Sequence, residues 1–540
     1  MGFRITEAHS TWMRTEMLNL TAVKKIAYIY LLIPFALFCI GWLNWAAALL
    51  VLLVVAAGLV SIWRVLPARE PCRSGRADLI VMILVLGVWL LLSGIGGYTF
   101  QNWDHHSRNA VFRDLINYAW PVVYHFSPDV SARLGIPSSL IMSYYFGFWL
   151  PAALIGKLWG WNAANFGLFL WTYLGITLAV LLTAAKLRTS FRKTALLIIF
   201  FSGMDLLGVV LFRNIPHYTY PLLWPPIQHL EWWAGAFQYS SFTTDLYWTY
   251  NQFVPAFLIM ALFVSSPDEG AVVLLGGICV FFAPFPALGL LPFIAGSVLR
   301  QALVFVHDRP DRGWPVSMVR HFLTLENLAG LILGGVSALF FTTNLAVQTR
   351  SLGLPDSAGI YIIFLCLECM LIWLVLLPAN RTDWIWYVVG AVLLLAPFVN
   401  FGGSWDFMAR ATIPALYLLM LGCGRFLITG RNTFVKMSLL FMLVVGAATP
   451  LYEINRALVR SVRYYDVPGL AAISFDQYFR HPPPTNFGFV PEFDHPQTLA
   501  ADEWVSLSIP RGGEWNTKVG ALFNTAFRLL WNRKLLFQQN

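Results

Sequence analysis

The chain has 540 residues, of which 58% are hydrophobic and only 12% charged, with a formal net charge of +9 and a mean hydropathy of +0.65. A soluble protein of this length carries about a quarter charged residues, so a water-soluble globular enzyme is excluded. Nucleic-acid binding is excluded too, because in so apolar a chain an excess of Lys and Arg sets membrane orientation.

Apolar runs of roughly 18 to 21 residues recur, the length a helix needs to cross the hydrocarbon core. Each crossing must be helical to satisfy its own backbone. The expected fold class is therefore all-α, a polytopic helical membrane protein of about thirteen transmembrane helices with interfacial juxtamembrane helices. The 23 Trp and 20 Tyr suit aromatic belts at the two interfaces.

Residues 1–25 are polar and read as a cytoplasmic segment without a cleavable signal. The opening "MGFRIT" has the form of a myristoylation motif, but a lipid anchor is redundant here. Spans are expected at 26–44, 45–63 and 79–97. Lys24 and Lys25 before the first, and Arg64, Arg69, Arg73 and Arg76 after the second, place those ends in the cytoplasm. The chain then leaves the third span on the outer face.

The next basic cluster, Lys186, Arg188, Arg192 and Lys193, also belongs inside. Two apolar stretches, 139–158 and 162–184, precede it, so one of them does not cross. The choice falls on 139–158, whose Gly147, Pro151 and aromatics suit an interfacial or re-entrant segment. Further spans are expected at 194–212, 252–266, 270–284, 285–299, 328–345, 358–378, 384–400, 411–429 and 434–451. This sets a transmembrane part at 26–451 and an extracytoplasmic tail or small domain at 452–540. Cys366 and Cys369 have redox or metal spacing, but inside a span they read as small core residues.

Three polar, aromatic-rich outer loops remain, 98–161, 213–251 and 400–410. They carry Asp104, His105, His106, Arg108, Arg213, His217, His229, Glu231, Asp245, Asp406 and Arg410. Each has a plain structural reading. Asp104 fits a helix cap or an i, i+4 partner of Arg108. Glu231 fits an interfacial acid paired with Arg213, and Arg410 a side chain reaching for headgroups. Their coincidence beside one membrane surface argues for function. A carboxylate takes a proton from an attacking hydroxyl, while Arg and His hold a phosphate leaving group. Together these parts describe glycosyl transfer from a lipid-phosphate sugar.

At this point the sequence resembles the GT-C superfamily of integral-membrane glycosyltransferases, which includes protein O-mannosyltransferases and aminoarabinose transferases. The likeness rests on Asp104 in "FQNWDHH", directly after a span in the first large outer loop, on the non-crossing segment 139–158, and on "LWGWNAANFGLFLW" as entry to the next span. It covers 79–451 as architecture and departs in detail: His105 and His106 stand where the mannosyltransferases carry a second acid, and the hairpin at 26–63 is extra.

The resemblance implies an inverting transfer from a polyprenyl-phosphate-linked sugar donor to a glycan, lipid or protein acceptor. Asp104 is then the general base and Glu231 a second acid of the site. His105, His106, Arg108, His229, Asp406 and Arg410 become candidates for binding substrate. A divalent cation, Mg or Mn, is the possible cofactor, held near Asp104. The implied setting is a bacterial inner membrane with the site facing the periplasm. The competing expectations are a polysaccharide polymerase or O-antigen ligase, a transporter or flippase of lipid-linked glycans, and a non-catalytic scaffold. Asp205 is the residue that suits the transporter, against a plain reading as a polar helix contact.

Overall fold

The computed structural model describes residues 15–102, 104–125, 128–129, 132, 139–212, 229–235, 237–265, 271–308, 322–343, 350–352, 358–401, 406–464 and 487–489. Among them, nine helices are long and apolar enough to cross a bilayer, and three shorter apolar helices accompany them. The protein is thus a helical, polytopic membrane protein.

Helix ends follow from local sequence. Asn44, Ser190, Thr324, Asp383 and Asn432 each accept a backbone N–H two or three residues on, as N-caps do. Three small antiparallel sheets tie connecting segments together: Thr15–Asn19 pairs with Pro71–Gly75, Ser139–Met142 lies between Val123–His125 and Phe487–Phe489, and Arg350–Leu352 pairs with Val399–Phe401. They are too short to leave a readable alternation in the sequence.

The conflict over 139–158 resolves at Gly160. The stretch begins as the strand Ser139–Met142, makes a short turn at Gly147–Trp149, and continues in the helix Leu150–Leu187. Gly160 interrupts that helix with φ 82° and ψ −177°, a conformation open to glycine. Ile155 lies within 2.8 Å of where a Cβ on Gly167 would stand, and the Ala164 Cβ is equally close to that position on Gly156. In a straight helix residues 155 and 167 stand about 18 Å apart. The arm before Gly160 therefore folds back along the arm after it, and only the second arm is long enough to cross.

Both basic clusters meet at one end of the bundle. Asp78 accepts from the Phe191 and Arg192 backbone N–H groups at 2.7 and 3.3 Å. Lys24 reaches Glu70 at 2.6 Å, and Lys186 lies within electrostatic reach of Arg425, Lys24 and Asp383. A cleft of about 760 Å³ opens there between Glu70, Asp78, Arg188 and Arg192.

Several boundaries differ from expectation: the span set at 79–97 is helical over Arg76–Leu91, and two further differences bear on the site. The span set at 252–266 belongs to a helix that begins at Phe242 and runs to Ser265, breaking at Thr249 (φ −134°, ψ 32°) and carrying Pro255. The tail boundary at 452 falls inside the amphipathic helix Ala448–Tyr464, which packs Thr449, Tyr452, Glu453 and Arg456 inward.

Candidate functional site

The end opposite the basic clusters is built around the helix Asp104–Asn117. Asn102 caps it, accepting the Asp104 N–H at 3.1 Å and donating to the Tyr247 carbonyl at 2.9 Å. Asp104 is thus the first residue of the helix and not its cap. This leaves its side chain, about a third exposed, facing outward.

One turn on, buried Arg108 donates from Nη2 to Asp104 Oδ2 at 3.1 Å and from Nε to Asn251 Oδ1 at 3.3 Å. The expected i, i+4 pair is therefore present. The Arg108 Nη1 and the Asn251 Nδ2 are both buried with no hydrogen-bond partner among the described residues. Burial works against the Arg108 charge, but Asp104, Tyr144, Tyr250 and Tyr145 outweigh it and hold the guanidinium above its ordinary pKa.

Arg410 comes to the same place from the short helix Asp406–Ala411. Its Nη1 meets Asp406 Oδ1 at 2.5 Å, and its Nε has no partner among the described residues. Burial again opposes the charge; Asp406 first, then Tyr145 and Asp104, raise its pKa well above the ordinary value. Asp245, buried at the start of the helix Phe242–Ser265, is in electrostatic reach of Arg410. Tyr144 and Tyr145 stack at 3.9 Å between centroids, beside both arginines.

Parts of all three expected loops are thus brought together: Asn102, His105 and Arg108 from the first bond to Tyr247 and Asn251 of the second, and Arg410 from the last lies within electrostatic reach of Asp104 and Asp245. His105 is turned inward, its Nε2 at 3.0 Å from the Tyr247 carbonyl and its ring against Tyr250. It fastens the start of the helix to the bundle. His106 follows on that helix, with its side chain outside the described residues, as are Arg213 and His217.

His229 and Glu231 of the middle loop each head a neighbouring cluster. His229 places Nδ1 at 2.8 Å from Glu453 Oε1 and Nε2 at 3.3 Å from Arg456 Nη1. Glu453 also pairs with Arg456 and accepts from the Trp248 indole at 3.1 Å, and Arg456 lies over the Trp248 ring. Nδ1 thus faces a carboxylate and Nε2 a guanidinium, and the ring lies within electrostatic reach of Asp104. Glu231 is 1% exposed, and both its oxygens are occupied: Oε1 by the Ser241 N–H and the Thr244 hydroxyl at 2.9 and 2.5 Å, Oε2 by Gln238 at 2.9 Å. This geometry ties Glu231 to Gln238, Ser241 and Thr244. Burial, then Asp205, raise its pKa well above the ordinary carboxylate value.

Glu453 and Arg456 escaped the sequence reading because they fell in the presumed tail. The inward residues 449, 452, 453 and 456 at helical spacing were the available signal. Among the described residues no group of three or more His, Cys, Asp or Glu is placed to hold a metal ion, so the expected divalent cation finds no ligand set there. Cys369 is buried and Cys366 half-buried in the irregular turn Cys366–Met370. Compared with protein-family models, with curated proteins and with solved structures, the chain matches none.

Proposed function

We propose that this protein is an integral-membrane glycosyltransferase of the GT-C type. It moves a sugar from a polyprenyl-phosphate donor to a glycan, lipid or protein acceptor at the outer face of a bacterial inner membrane, with about thirteen crossings. One observation carries the reading. A partly exposed carboxylate, Asp104, pairs with the buried Arg108 and lies within electrostatic reach of the partly buried Arg410, and each guanidinium keeps a buried N–H that no described protein group accepts.

In this reading the donor phosphate lies between Arg108 and Arg410, whose forks suit phosphate oxygens. Asp104 removes the proton from the acceptor hydroxyl. That oxygen attacks the anomeric carbon as the bond to the phosphate oxygen breaks, inverting the centre, and the arginines stabilise the departing charge. Asp406 holds Arg410 in place, His105 and His229 position the helices, and Glu231 shapes the loop. His106 remains a candidate for the phosphate. The charge cluster sits early in the chain, which favours this reading over a polymerase or ligase.

The test is Asp104→Asn in membranes supplied with a labelled polyprenyl-phosphate sugar. Loss of a positioned base should lower transfer about 10²- to 10⁴-fold, with expression and insertion unchanged. Transfer at the wild-type rate would sink the reading.

A further inference from the structure

A second polar cluster lies inside the span Phe191–Phe212, apart from the proposed transfer site. That span is broken: its first helix ends at Phe200 and the next begins at Asp205. Facing the break is a π-turn, Cys366–Met370, inside the span Ala358–Asn380. The Met204 N–H donates to the Leu367 carbonyl at 3.0 Å and ties the two irregular backbones together. Gly203 permits this approach, since a Cβ there would overlap the Glu368 carboxyl. Broken helices and π-turns at membrane depth are costly backbone and occur where they build a site.

This site is built from carboxyl groups. Asp205 and Glu368 are 1% and 2% exposed. Ser202 and Thr449 donate to Asp205 Oδ2 at 3.2 and 2.8 Å, and the Trp233 indole donates to Glu368 Oε1 at 3.0 Å. Glu368 Oε2 has no donor among the described residues; it lies against Gly203, two residues before Asp205, which sets it in interaction with the Asp205 carboxyl. The titratable groups next to the pair among the described residues are further acids: Glu231 from the turn Leu230–Ala234, with Glu453 of the helix Ala448–Tyr464 beyond it. Neither Asp205 nor Glu368 forms an ion pair with Lys, Arg or His among the described residues.

Two carboxyl groups can lie within hydrogen-bonding reach, away from water and cations, only if a proton stands between them. We propose that Asp205 and Glu368 form an intramembrane proton-binding site, with one proton shared between their carboxyls and clamped by Ser202, Thr449 and Trp233. A proton fits better than a metal ion, because the indole and the hydroxyls present hydrogens to the carboxyls. Loss of the proton would leave two buried like charges and push the break away from the π-turn. The turn Leu230–Ala234 would feel this through Trp233, and it also carries Glu231 and follows His229.

The experiment is infrared spectroscopy of the full-length protein in nanodiscs, stepped from acidic to alkaline buffer. A protonated-carboxyl C=O band should persist at neutral pH, shift on exchange into D₂O, and be lost in both Asp205→Asn and Glu368→Gln. The new amide donates to the remaining carboxylate as the protonated acid did, so both variants should fold. Trp233→Phe keeps both acids but removes one clamp, and should shift the band without abolishing it. A band unchanged in these variants would overturn the proposal. So would a wild-type band that disappears when sodium chloride replaces potassium chloride, since an ion would then occupy the place assigned to the proton. None of these readings depends on sugar transfer.

Discussion

At the scale of single residues, His229 shows how position decides chemistry. Burial lowers its pKa below the ordinary 6.5, against the pull of Glu453. Its Nδ1 faces a carboxylate, and its Nε2 faces a guanidinium that can only donate, so the neutral ring is the one that fits. The folded protein thus holds a proton less tightly here than the unfolded chain does. The stabilisation is fully present above pH 6.5 and is lost as pH falls through the lowered value. Thermal unfolding followed from pH 8 toward pH 5, roughly the range in which histidine titrates, should show this loss in the wild type and a flatter profile in His229→Gln. Parallel profiles would show that His229 is not the group responsible. Asp104, Arg108 and Arg410 could be found from sequence because charge is conspicuous in an apolar chain. The commitments of His229 and Glu231 could not, because their partners Glu453 and Gln238 signal nothing until the chain is folded.

At the scale of elements, hydropathy reports contact with lipid more than membrane depth. In the most apolar 18 residues of the helix Trp45–Val65 the mean hydropathy is 2.6 and 28% of the stretch is buried within the protein, whereas in Phe242–Ser265 the values are 1.2 and 83%. The second is surrounded by other helices, so it carries Thr243, Asp245, Asn251 and Gln252 without facing lipid. This is why its first turns read as a polar loop and its start was set ten residues late. The helix Ala448–Tyr464 was misplaced for a related reason: its inner face is polar because it packs on a polar cluster. That face has a consequence for stability. Glu453 is 1% exposed and is met by His229, Arg456 and Trp248. Glu453→Ala leaves the Arg456 guanidinium buried without its carboxylate, a change that costs about 3–5 kcal/mol in such pairs. The variant should show a lower unfolding midpoint in detergent and faster proteolysis after Tyr464. An unchanged midpoint would mean that water already enters the cluster.

At the scale of the whole molecule, loop charge and backbone geometry point the same way. Parity required one of two apolar stretches not to cross, and the reversal at Gly160 supplies the mechanism. The clusters at 64–76 and 186–193 then share one end with Lys24 and Arg425, joined through Asp78 and Glu70. Asp104, Arg410, His229 and Glu453 gather in a separate polar region, reached by Arg456 and Trp248. If positive charge sets orientation as it does elsewhere, the first end faces the cytoplasm and the second the outer aqueous phase. Arg188 and Asn117 are exposed positions at the two ends. In a variant freed of its six cysteines, Asn117→Cys should react with a membrane-impermeant maleimide added to intact spheroplasts. Arg188→Cys should react only after the membrane is opened. The reverse pattern would turn the bundle over and place Asp104 on the cytoplasmic side, beyond reach of a donor presented at the outer face. Labelling of both positions from outside would mean that the arm before Gly160 crosses after all.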